Sequence, residues 1–136
     1  IFMSQFDLNE FKSYQKFGDR VKQMWVKPNE VKDVLLCGDI GVMIRQQTVT
    51  NKVASPTKFA EYLLAGLKVV TTPNLGDYSA LVEEKGLGFV YTPENKDFKF
   101  EKLSFEEKIG ISSYAIDNFS KPGFKSSYLQ VIKGKE

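Results

Sequence analysis

The sequence contains no histidine. That removes the commonest general base near neutral pH and the commonest zinc ligand, so Ser-His and Cys-His nucleophile pairs and zinc sites are not expected. It contains one cysteine, Cys37, which excludes a disulfide within the chain and fits a reducing compartment. No apolar run approaches the roughly 18 residues that a membrane-spanning helix needs, and no signal-peptide pattern opens the chain. Charge of one sign is also lacking: 19 basic against 17 acidic residues leave a formal net charge of +2. No basic stripe interleaved with aromatics is present, so nucleic acid is not an expected partner. No Asp-x-Asp pair offers itself to a divalent cation, and no internal repeat or low-complexity segment occurs. The chemistry left to such a chain rests on carboxylates, lysine, arginine, hydroxyls and backbone dipoles.

What is present suffices for a core. The 136 residues are 42% hydrophobic and 13% aromatic, which fits one folded domain. The chain opens on "IFMSQF" without an initiator methionine and reads as a fragment of a longer polypeptide.

Helix and strand signals alternate. Residues 1–6, "VKQMWV" (21–26), "IGVMIR" (40–45), "KVVTT" (68–72) and "GFVYT" (88–92) read as five strands. Helical spacing runs over 8–18, with Gly18 as its stop, and over the stretch from Pro28 to Gly38. Further helices are predicted over 56–65, 78–85, 104–119 and 124–132, while the polar stretch 46–54 reads as a loop. Ser104 and Glu107 have capping-box spacing, Gly86 stands as a helix stop, and Pro122-Gly123 should break the chain. The alternation predicts an α/β, Rossmann-like three-layer fold with a mainly parallel sheet of about five strands. Such sheets bind ligands beyond the carboxyl ends of their strands, often at a helix start, which directs attention to residues 40–61.

In "ASPTKFAEYLLAGLKVV" (54–70), Ser55 suits an N-cap and Pro56 the first helical position. At about 100° per residue, Thr57, Lys58 and Glu61 share one face, while Phe59, Tyr62 and Leu63 face a sheet, and Gly66 stops the helix. A hydroxyl and an ammonium at a helix start suit an anion, and Lys58 suits phosphate. A carboxylate one turn further on, Glu61, is placed to accept hydrogen bonds from ribose hydroxyls. A nucleoside diphosphate has both features. On spacing alone a second reading stands beside it: Lys58 and Glu61 as a plain i, i+3 surface pair. Trp25 reads as core, Cys37 as inert packing, and Asp77 as the N-cap of the next helix.

Three ordered blocks, "GDIGVMIR" (38–45), "ASPTKFAEYLLAGLKVVTTPNLGD" (54–77) and "LVEEKGLGFVY" (81–91), resemble the C-terminal donor-binding half of family 4 (group 1) glycosyltransferases of the GT-B fold. The likeness covers residues 20–92 well and the flanks loosely. It implies a retaining, metal-free transferase with no cofactor beyond its nucleotide-diphosphate sugar. By position, Glu61 matches the ribose-contacting glutamate, and Ser55, Thr57 and Lys58 lie where the family meets the diphosphate. Arg45 matches a place facing phosphates or sugar, and Val26 and Lys27 match the base-contacting loop. Lys58 and Arg45 are then the residues that would favour departure of the diphosphate.

This sequence departs from the family twice. The family's earlier, sugar-contacting glutamate is Val53 here, and no Gly-rich strand and loop followed by Arg or Lys precedes Ile1. The acceptor-binding N-terminal domain is likewise expected outside the fragment, which should be inactive alone. The implied setting is bacterial polysaccharide biosynthesis in the cytoplasm, with peripheral contact at the inner face of the membrane. Two alternatives remain open: a receiver-like signalling or interaction module, and a glycosyltransferase-like assembly domain without catalysis. Only Asp7 stands near a place where a receiver would cluster its aspartates.

Overall fold

The computed structural model describes residues 1, 3, 16–46, 48–52, 57–95, 99–123, 125 and 129. Two compact units divide the chain, Ile1–Asp33 and Val34–Glu136.

In the first unit, a 3₁₀ turn at Gly18–Arg20 is followed by an extended stretch. Residues 21–26 form no strand, only a single bridge at Gln23, contrary to the sequence pattern. The reason is burial. Met24 is 37% and Trp25 67% exposed, so this segment has no buried face to fix a pairing register. Trp25 is therefore not core. The predicted strand 1–6 and helix 8–18 fall mostly outside the described residues. Helix α1 (Val31–Leu36) spans the boundary in the chain, and Cys37 just after it is exposed rather than packed.

The second unit is α/β. Three parallel strands, β1 (Ile40–Met43), β2 (Lys68–Thr71) and β3 (Gly88–Val90), pair in the order β1-β2-β3. Three strands, not about five, make up the sheet among the described residues. Between β1 and β2 lie a helical turn α2 (Val49–Lys52), where the sequence reads as loop, and α3 (Thr57–Leu64). Helix α4 (Tyr78–Glu84) joins β2 to β3, and α5 (Phe105–Phe119) follows.

Two successive right-handed crossovers in one direction put α3 and α4 on the same sheet face. The Phe59 and Tyr78 rings, one from each helix, accordingly lie 4.6 Å apart. In-register alternation gives that face Gly41, Met43, Val69, Thr71 and Val90. Phe59 and Leu63 of α3, Val82 of α4, and Ile111 and Ala115 of α5 close a common core over it. Burying a side chain the size of Phe59 contributes about 1.5–3 kcal/mol. Gly41 makes room for the Tyr62 ring, which would stand 2.3 Å from any Cβ there.

The opposite face carries Ile40, Val42, Ile44, Val70, Tyr91 and Phe100, which line an open groove of about 460 Å³. Val42 is 62% and Ile44 49% exposed within it.

Both helix-to-strand junctions use one device. After α3, Leu67 N–H donates to Tyr62 O (3.0 Å) and Gly66 N–H to Leu63 O (2.9 Å), with Gly66 at φ +75°. After α4, Leu87 N–H donates to Val82 O (2.9 Å) and Gly86 N–H to Glu83 O (3.3 Å), with Gly86 at φ +63°. These are paired Schellman motifs, each with a buried leucine leading into a strand. Asp77 stands at the N-cap of α4, as its position predicts, but its side chain makes no capping bond. The chain breaks at Ser120, extended at φ −92° and ψ 156° just after α5, rather than at Pro122 and Gly123 themselves. Both are helical, and Gly123 N–H donates to the Ser120 hydroxyl, which starts the new turn.

Candidate site at the carboxyl edge of the sheet

Parallel strands gather their carboxyl ends on one edge. Helix α3 must run back from that edge to the start of β2, so its first residues stand beside the end of β1. Thr57, Lys58 and Glu61 are exposed there, and Phe59 and Leu63 are fully buried behind them. The helical face read from the sequence is the one the fold presents. Lys58 Nζ lies 2.9 Å from Glu61 Oε2, with the two side chains 51% and 45% exposed. The i, i+3 surface pair is thus formed. A half-exposed pair of this kind is worth roughly 0.2–0.5 kcal/mol, so it can yield to a ligand that satisfies both charges.

Arg45 sits on the same edge, two residues past β1. Its backbone is held by Thr72: Arg45 N–H donates to Thr72 Oγ1 (3.2 Å), and the Thr72 hydroxyl donates to Arg45 O (3.0 Å). The β1-β2 register carried on would set Arg45 against Pro73, which has no N–H to donate. The Thr72 hydroxyl extends the tie where the ladder cannot. Sequence reasoning did not single out Thr72, and a threonine ahead of a proline at a strand end was the only available signal. Beyond it, Asn74 at φ +55° and Gly76 at φ +51° shape the turn into α4.

Ser55 and Val53 lie outside the described residues. Val26 and Lys27 belong to the first unit. There Lys27 N–H donates to Glu30 Oε2 (3.1 Å) and Glu30 N–H to Lys27 O (2.9 Å), a turn that opens α1. Among the described residues, no group of three or more His, Cys, Asp or Glu side chains converges on a metal-sized space.

The amino edge is built differently. Lys108 Nζ donates to Gly38 O (2.7 Å) and lies 3.1 Å from Asp39 Oδ1, while Leu103 N–H reaches the same oxygen at 3.4 Å. Lys68 Nζ lies 3.8 Å from Glu107 Oε1. These contacts pin the start of α5 to the strands. A cleft of about 380 Å³ beside them is lined in part by Lys68, Lys99, Lys102 and Phe100.

No protein-family model matches this chain, and no curated protein or solved structure matches it. No helix among the described residues is long and apolar enough to cross a membrane.

Proposed function

We propose that the chain binds a nucleotide-diphosphate sugar at the carboxyl edge of its sheet, as the donor-binding part of a retaining glycosyltransferase. The observation that carries this reading is the exposed Thr57-Lys58-Glu61 face on a helix opening at that edge. Lys58 and the first N–H groups of α3 meet the diphosphate, and Glu61 accepts from the ribose hydroxyls. Arg45, whose backbone Thr72 fixes, adds positive charge near the phosphates or the sugar. By sequence position, the resemblance to family 4 enzymes also assigns Ser55 to the donor contacts. Catalysis in this reading is leaving-group stabilisation. Positive side chains and backbone dipoles favour charge developing on the departing diphosphate, with no metal required. The sugar passes to a glycan, lipid-linked or small acceptor held by a further domain of a longer protein. That enzyme works in the cytoplasm, against the inner membrane face.

Calorimetric titration with UDP, GDP, ADP and CMP tests the reading. One nucleotide should bind saturably, and Lys58→Ala should weaken it about tenfold, the loss expected for a charge-assisted contact. Binding that is indifferent to both Lys58→Ala and Glu61→Ala would contradict it.

A further inference from the structure

We propose that α5 pairs with α5 of a second copy of this chain, antiparallel and across a two-fold axis, through an apolar seam that the fold leaves uncovered. One face of α5 packs into the core through Ile111 and Ala115. Another carries Phe105, Ile109 and Ile116, which are 73%, 49% and 48% exposed. With Ser112 they recur at i, i+4, i+7 and i+11, the alternating steps of four and three by which one helix lies along another. Leu64 extends the patch. The Ser112 hydroxyl donates to Leu64 O (2.8 Å), which holds the exposed end of α3 beside the middle of the seam. Exposed apolar side chains are ordinary when scattered, but a patch of them rimmed by charge marks a contact surface. None of these residues belongs to the carboxyl-edge site.

Gly110 is exposed in the middle of α5, and a Cβ there would meet nothing within 4 Å. Nothing among the described residues requires a glycine at that place, although glycine weakens a helix. With Ser113 it borders the seam with small residues, which lets a second backbone come close. The charges select a second copy as the occupant. Glu107 and Lys108 are held within the unit by Ser104, Lys68 and Asp39. That leaves Glu101, Lys102 and Glu106 around the start of α5, and Asp117, Lys121 and Lys125 around and beyond its end. The start is net negative and the end net positive. Antiparallel copies set each negative end beside the partner's positive end and oppose the two helix dipoles, whereas parallel copies would set like against like. Two-fold symmetry repeats the contact between Ile109 and Ile116 on both sides of the Ser112-Ser113 centre, so one seam serves both copies. A single helix pair buries less than the roughly 1,200 Å² of a standard interface, so the dimer is weak, with a dissociation constant on the order of 100 µM.

The test is sedimentation equilibrium of the full chain up to millimolar concentration, which should show monomer and dimer in exchange. Ile109→Glu, which sets a carboxylate in the seam of both copies, should weaken the dimer about tenfold or more. Glu106→Lys should weaken it about threefold, and Glu106→Lys/Lys121→Glu should restore it. Val42→Asp, on the open face of the sheet, should leave it unchanged. All four side chains are exposed, so these substitutions keep the fold. A chain that stays monomeric at millimolar concentration overturns the proposal. So does a dimer that is lost in Val42→Asp but kept in Ile109→Glu. A charge swap that fails to restore what Glu106→Lys removes overturns the antiparallel pairing.

Discussion

Gly66 and Gly86 adopt the same left-handed conformation in the same motif, but their surroundings differ. A Cβ at Gly86 would meet nothing within 4 Å, whereas one at Gly66 would lie 2.8 Å from the Lys108 carbonyl oxygen. Gly86→Ala should therefore cost only backbone strain, about 1 kcal/mol. Gly66→Ala adds a clash with backbone that belongs to α5, and should cost about 2 kcal/mol or more. Urea denaturation of the two variants checks the order, and equal losses would refute it. Both glycines were legible as stops because each precedes a leucine and a strand. Trp25 and Cys37 were not: residue type favours burial for both, yet no residue over 21–26 is buried, and beside Cys37 it is Leu35 that takes the buried position.

At the scale of elements, α5 is the helix whose start was most fully written in the sequence. Ser104 Oγ accepts from Glu107 N–H (3.1 Å), and Glu107 Oε2 accepts from Ser104 N–H (2.8 Å). Ser104→Ala should cost about 1 kcal/mol of stability, measured by chemical denaturation. Hydrogen bonds to the carboxylate from the Ser104 backbone N–H first, and then from the Ser104 side chain, hold the Glu107 carboxyl below the usual carboxylate range. A carboxyl whose folded value is depressed contributes stability above its unfolded value. That contribution is lost as pH falls through the folded one. Thermal melts at falling pH should show it, and Glu107→Gln, which keeps the geometry without the charge, should flatten that acid limb. An acid limb of unchanged slope in Glu107→Gln would exclude this role.

Helix α3 was equally legible, because its polar and apolar residues separate cleanly at helical spacing. The strand expected over 21–26 was not a strand, because its apolar residues share no face and none of them is buried. The turn α2 went unread because a short helix of Val-Thr-Asn-Lys carries no periodic apolar signal.

At the scale of the whole second unit, the two edges of the sheet divide the labour. The amino edge spends its charges on itself: Lys108 on Gly38 and Asp39, and Lys68 on Glu107. None of this was visible in the sequence, since Asp39 and Lys108 are far apart in the chain and only the fold unites them. The carboxyl edge gathers Arg45, Thr72 and the exposed face of α3, and of these the α3 face and Arg45 could be read beforehand. The Thr72 tie could not, because it depends on the β1-β2 register reaching Pro73.

The measurement that tests the central claim most directly is where a nucleotide lands. Amide shifts of the labelled chain, titrated with whichever of UDP, GDP, ADP and CMP binds, locate it. The account predicts shifts concentrated at Arg45, Thr57, Lys58, Glu61 and Thr72 on the carboxyl edge. Shifts concentrated instead at Lys68, Lys99 and Lys102, around the amino-edge cleft, would contradict it.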